Sequence, residues 1–119
     1  MKDIAPDIYR QRLLMEGYYT IPTDRKAVEK FLLGIAQQLG LRTYGEPVIF
    51  SPAGKGKDEN QGFDAFVPLV DSGISIYVWA QQRFFSVFLY TCRQFDAQAA
   101  LDFTSEFFQT EGKVVHQSF

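Results

Sequence analysis

The sequence predicts an α+β fold, a two-layer sandwich in which an antiparallel β-sheet carries both of its helices on one face. Three observations lead there. Short apolar segments with period-two alternation recur between turn-forming residues, and two longer stretches place apolar residues at helical spacing. Two of the strand-like segments are also separated by only a tight polar connection, which makes them a hairpin. Hairpins combined with amphipathic helices favour an antiparallel sheet with one covered face. A length of 119 residues fits a single domain, 1–119, with one core.

The first strand is expected over residues 13–22, LLMEGYYTIP, ended by Pro22. Thr23 or Asp24 can then cap a helix whose face is Val28, Phe31, Leu32, Ile35, Ala36 and Leu39, with Gly40 at the C′ position. Strand-like segments follow at 42–50, 63–70, 73–80 and 84–92. Between the first two lies GKGKDENQG (54–62), read as a solvated loop. Its Lys55, Lys57, Asp58 and Glu59 with Gly54 and Gly56 could meet an anion but lack the spacing of a phosphate loop. Gln81, Gln82 and Arg83 close the hairpin between the last two segments. Asp96 can cap a second helix with Ala97, Ala100, Leu101, Thr104, Phe107 and Phe108 roughly on one face. Gly112 ends that region, and Lys113 to Gln117 form a last edge strand.

Composition removes several classes of function. Apolar residues at 46% and charged residues at 22% describe a globular chain rather than a disordered one. A formal charge of −2 supplies no field that would draw nucleic acid or an anionic membrane. The single cysteine, Cys92, cannot form an intramolecular disulfide, which suits a reducing compartment. Residues 1–12 have no apolar h-region and no apolar run reaches membrane-spanning length, so the expected setting is the cytoplasm. No His, Cys, Asp and Glu spacing fits a metal site, and a lone His116 cannot build a Ser-His-Asp set.

The hairpin alternation separates two faces. Ile74, Ile76 and Val78, with Phe85, Val87 and Leu89, suit the face beneath the helices. Ser75, Tyr77 and Trp79, with Phe84, Ser86, Phe88, Tyr90 and Cys92, form an opposite face rich in aromatic side chains. A chain with 12 Phe and 6 Tyr seldom leaves such a face bare, so it is expected to be a pocket, a dimer interface or both.

Asp71-Ser72-Gly73-Ile74-Ser75-Ile76-Tyr77-Val78-Trp79 resembles the self-processing segment of S-adenosylmethionine decarboxylases, roughly E-S-H-[IL]-[ST]-I-H-T-W-P-E. Without a gap, Tyr90-Thr91-Cys92 falls on that family's F-T-C, and Phe50-Ser51-Pro52-Ala53-Gly54 on its F-x-P-x-G. The resemblance spans about residues 11–117. It implies a homodimer acting in polyamine (spermidine) biosynthesis, with a pyruvoyl group made from a serine that attacks the preceding carbonyl. The pyruvoyl carbonyl condenses with the substrate amine and takes up electrons as CO₂ leaves. Ser72 would then be the pyruvoyl precursor, Asp71 the residue before the cut, and Cys92 the proton donor to the product. Trp79, Phe88 and Phe50 are the candidates to bind substrate, with Phe84 beside them.

Departures from the pattern bear on activity. The family's two histidines fall on Gly73 and Tyr77, Pro and Glu after the tryptophan become Ala80 and Gln81, and an acidic residue four before the cysteine becomes Phe88. Tyr77 is the catalytic candidate to replace that histidine as acid or base, although imidazole titrates near pH 6.5 and phenol near 10, which makes a tyrosine a poor base at neutral pH. These residues also have ordinary structural roles: Ser72 as a strand-start serine, Cys92 as a small apolar residue, and Tyr77 as a ring packed on Trp79 and Phe88. The expectation is a decarboxylase-like protein that does not process itself and binds a small molecule or partner. The alternative is an active pyruvoyl-dependent decarboxylase of S-adenosylmethionine or another amino acid, cleaved between Asp71 and Ser72.

Overall fold

The computed structural model describes residues 1–52 and 61–119, which leaves the anion-binding expectation for Gly54, Lys55, Gly56, Lys57, Asp58 and Glu59 outside the described residues. The elements are β1 (Gln11–Tyr18), α1 (Arg25–Gln38), β2 (Val48–Phe50), β3 (Gly62–Leu69), β4 (Ser72–Trp79), β5 (Phe84–Thr91), α2 (Ala97–Phe108) and β6 (Glu111–Ser118). Six strands form one sheet in the order β2-β3-β4-β5-β1-β6, and every pair is antiparallel. Both helices pack on one side of it, as the alternation requires.

Local chemistry sets the helix boundaries. The Asp24 carboxylate accepts from the Ala27 N–H at 2.9 Å and Asp96 from the Ala99 N–H at 3.1 Å, each satisfying an orphan donor of a first turn. Gly40 ends α1 with φ +68, a conformation that glycine adopts without a Cβ penalty. The second helix ends earlier than expected. Gln109, at φ +46, turns the chain, so Gly112 lies inside β6 and that strand is longer than 113–117.

Two strand expectations also shift. The first strand starts at Gln11 and ends at Tyr18, well short of Pro22. The expected strand over 42–50 reduces to an isolated Thr43–Leu69 bridge and the three residues of β2. Gly45 and Pro47 stand between them, and proline cannot donate to a ladder.

The core fills the gap between the helices and one sheet face. Ile74, Ile76, Phe85, Val87 and Leu89 are completely buried there with Met15 and Val67, and Val28, Phe31, Leu32 and Ile35 cover them from α1. Phe108 of α2 joins the layers, its ring centroid 4.8 Å from that of Phe31 and 4.6 Å from that of Phe85. The other sheet face carries no helix.

Candidate functional site

Val70 and Asp71 form the turn between β3 and β4, and Leu69 pairs with Ser72 across it. Ser72 also pairs with Thr91 on β5, so the residue after Thr91 is carried beside the turn. The Cys92 N–H accordingly donates to the Asp71 carbonyl at 2.8 Å, and the Ser72 Oγ lies 3.4 Å from the Cys92 Sγ. Strand pairing thus joins Asp71, Ser72 and Cys92 although 20 residues separate the serine from the cysteine.

Three features make this turn chemically distinctive. Ser72 has φ +134, a region that side chains other than glycine rarely adopt. The carbonyl ahead of it is polarised by a backbone donor, as a carbonyl open to attack would be. The Asp71 Oδ2 is buried without a hydrogen-bond partner, where such acceptors are normally satisfied.

Imidazole is missing here. His116 sits on β6 opposite Met15, and β6 is separated from β4 by β5 and β1. Three strand spacings put it about 14 Å away across the sheet alone. The other histidine position of the family pattern is filled in a different way. A Cβ added to Gly73 would lie 2.5 Å from the Cε1 and Cζ of Phe66, so the Phe66 ring occupies the space in which a side chain at 73 would begin.

Tyr77 is five residues further along β4, about 17 Å from Ser72 by strand rise, and does not meet it. It lines a groove of about 400 Å³ with Phe50, Val48, Asp64, Phe66, Ala65 and Ser75. The packing expected for Tyr77 against Trp79 and Phe88 is replaced by this arrangement. Trp79 lies tilted against Phe84 at 5.2 Å, beside Tyr18 at the far hairpin end, and Phe88 meets Phe119 at 6.0 Å. The three aromatic candidates therefore occupy three separate places, and only Phe50 shares the groove with Tyr77.

Asp64 and Phe66 escaped the sequence reading. The signal was present: in β3 the residues Ala65, Val67 and Leu69 are buried, so Asp64 and Phe66 alternate onto the open face. A second polar contact on that face, Ser86 Oγ donating to Glu16 Oε2 at 2.8 Å, bridges β5 and β1. Among the described residues no three His, Cys, Asp or Glu side chains cluster as a metal site, and no helix is long and apolar enough to cross a membrane.

Residues 11–118 match the model of the family described as S-adenosylmethionine decarboxylase. Among solved structures, the crystal structure of the adenosylmethionine decarboxylase from Aquifex aeolicus VF5 is similar, with a TM-score of 0.71 and 18% sequence identity over 94% of this chain and 89% of that one. No curated protein matches.

Proposed function

This chain belongs to the S-adenosylmethionine decarboxylase family, and from that premise we propose that it is a member that keeps the processing turn but stays uncut and binds a small molecule on its open sheet face. The observation that carries this reading is the position of the only histidine, three strands from Ser72. Converting a serine to a pyruvoyl group needs proton transfers near neutral pH, and imidazole is the side chain suited to them. Beside Ser72 stands the Cys92 thiol, its Sγ 3.4 Å from the Ser72 Oγ, and no imidazole. A homodimer in the cytoplasm is the expected setting, with links to polyamine metabolism by family.

A second reading has its own support. The Ser72 backbone and the polarised Asp71 carbonyl fit a pyruvoyl precursor in position. In that case the Ser72 Oγ attacks the Asp71 carbonyl carbon, the C–N bond breaks and the freed Ser72 nitrogen takes a proton. Removal of the Ser72 Cα proton then breaks the Cβ–Oγ bond, the main-chain carboxylate of Asp71 leaves as the new C-terminus, and water converts the resulting dehydroalanine to pyruvoyl and ammonia. The pyruvoyl group would supply an electron sink for decarboxylation, and Cys92 would hold the proton at Sγ.

Intact mass under denaturing conditions separates the two. The expected result is one unbroken chain. Two fragments, one ending at Asp71 and one beginning with a pyruvoyl group in place of Ser72, would replace the binding reading with the enzymatic one.

A further inference from the structure

Strand register places the groove side chains in two rows. Phe50 opposes Asp64, and Asp64 opposes Tyr77, so one carboxylate stands between two aromatic side chains on the same face. In the next row Phe66 opposes Ser75 and lies beside the same carboxylate, two residues along β3. Neighbouring strands are about 4.8 Å apart, so the rings and the carboxylate border one small space. Phe50, Phe66 and Tyr77 are 65%, 44% and 42% exposed, large values for aromatic side chains on a sheet.

Among the described residues the charges in this space are one-sided. Asp64 makes no ion pair among the described residues, and no described Lys, Arg or His lines the groove. Ring faces carry partial negative charge and attract cations, and a carboxylate adds a full negative charge beside them. An amino acid or other zwitterion would bring its own carboxylate next to Asp64, with no cation among the described lining residues to receive it. Like charges brought together in this way are unfavourable.

Resting on the small-molecule reading above, we infer that the groove between β2, β3 and β4 binds organic ammonium cations and discriminates against the corresponding amino acids. The ammonium sits at Asp64, and the apolar part of the ligand lies against Phe50, Phe66 and Tyr77.

Phenethylamine and phenylalanine differ by one carboxylate and make the test direct. Titration calorimetry on the full chain should show saturable binding of phenethylamine, at least about tenfold tighter than phenylalanine. Asp64→Asn should weaken the amine by about tenfold or more and narrow the gap to phenylalanine. Tyr77→Leu, which keeps the charge and removes a ring, should also weaken it, and serves if the Asp64 variant does not fold. The inference is overturned if phenylalanine binds as well as phenethylamine, if Asp64→Asn leaves the amine affinity unchanged, or if neither compound binds. Self-association that covers this face and excludes the amine overturns it as well. Denaturing mass of the same sample keeps the two ideas distinct: a cut chain that still prefers the amine defeats the uncut reading alone, and an uncut chain without amine binding defeats this inference alone.

Discussion

Ser72 carries a backbone conformation suited to glycine while sitting at the first position of a strand. A non-glycine residue held there costs on the order of 1–3 kcal/mol unless the surroundings compensate. Ser72→Gly should therefore raise the folding stability by about 1 kcal/mol, read from the urea midpoint at unchanged m-value. A loss of stability instead would mean that the Oγ contact with Cys92 outweighs the strain. The meeting of Asp71, Ser72 and Cys92 was legible in the sequence because the motif carries its own register: once β4 and β5 form a hairpin, Cys92 must reach the turn. The placing of Tyr77 was not. Its neighbours Phe50 and Asp64 lie on strands whose pairing depends on where the chain returns after residues 53–60, and alternation within one strand cannot supply that. Gly73 illustrates the same gap, since the ring that fills its place comes from Phe66 on the adjacent strand.

The secondary elements follow sequence periodicity closely where capping and pattern agree. Helix α1 has both its Asp24 cap and its Gly40 stop, and its predicted apolar face is the buried one. Helix α2 has a cap in Asp96 but no glycine where it ends, and its boundary was misplaced for that reason. The region 42–50 failed because Gly45 and Pro47 outweigh its apolar residues. Thr104 offers a measurable point on α2, since its Oγ1 is buried with no hydrogen-bond partner. Replacing that hydroxyl with a methyl group removes an unsatisfied polar atom at nearly constant volume. Thr104→Val should stabilise the protein by about 1 kcal/mol in thermal or urea unfolding. Destabilisation would show that the hydroxyl is in fact satisfied in solution.

At the scale of the whole molecule, Tyr19 ties distant parts together. Its N–H donates to the Arg83 carbonyl, its hydroxyl donates to the Trp79 carbonyl at 3.1 Å, and its ring packs near Phe108. Burial pushes its phenol above the usual value, with Arg83 opposing in part. An unfolded tyrosine loses its proton near pH 10 while the folded one still holds it. The Tyr19 contribution is therefore fully present below about pH 10 and is lost as pH rises through the folded value. Melting midpoints between pH 8 and 11 should fall at the alkaline end, and Tyr19→Phe should flatten that fall while lowering the midpoint at neutral pH. An unchanged alkaline slope in the variant would remove Tyr19 as its source. The sheet order that these contacts secure has a consequence during synthesis. Within this domain β1 is made before its partners, so Tyr18 must wait for Phe84 and Leu13 for Leu89 before either finds a strand partner, and the pairing of Leu13 with Ser118 comes last. Until then the apolar side of β1 and the buried face of α1 have nothing durable to cover them. Pairings this remote along the chain close slowly and leave nascent chains open to aggregation. A cell making this protein is therefore expected to hold its early chains on chaperones, and slowing translation would lengthen that exposure without helping the fold.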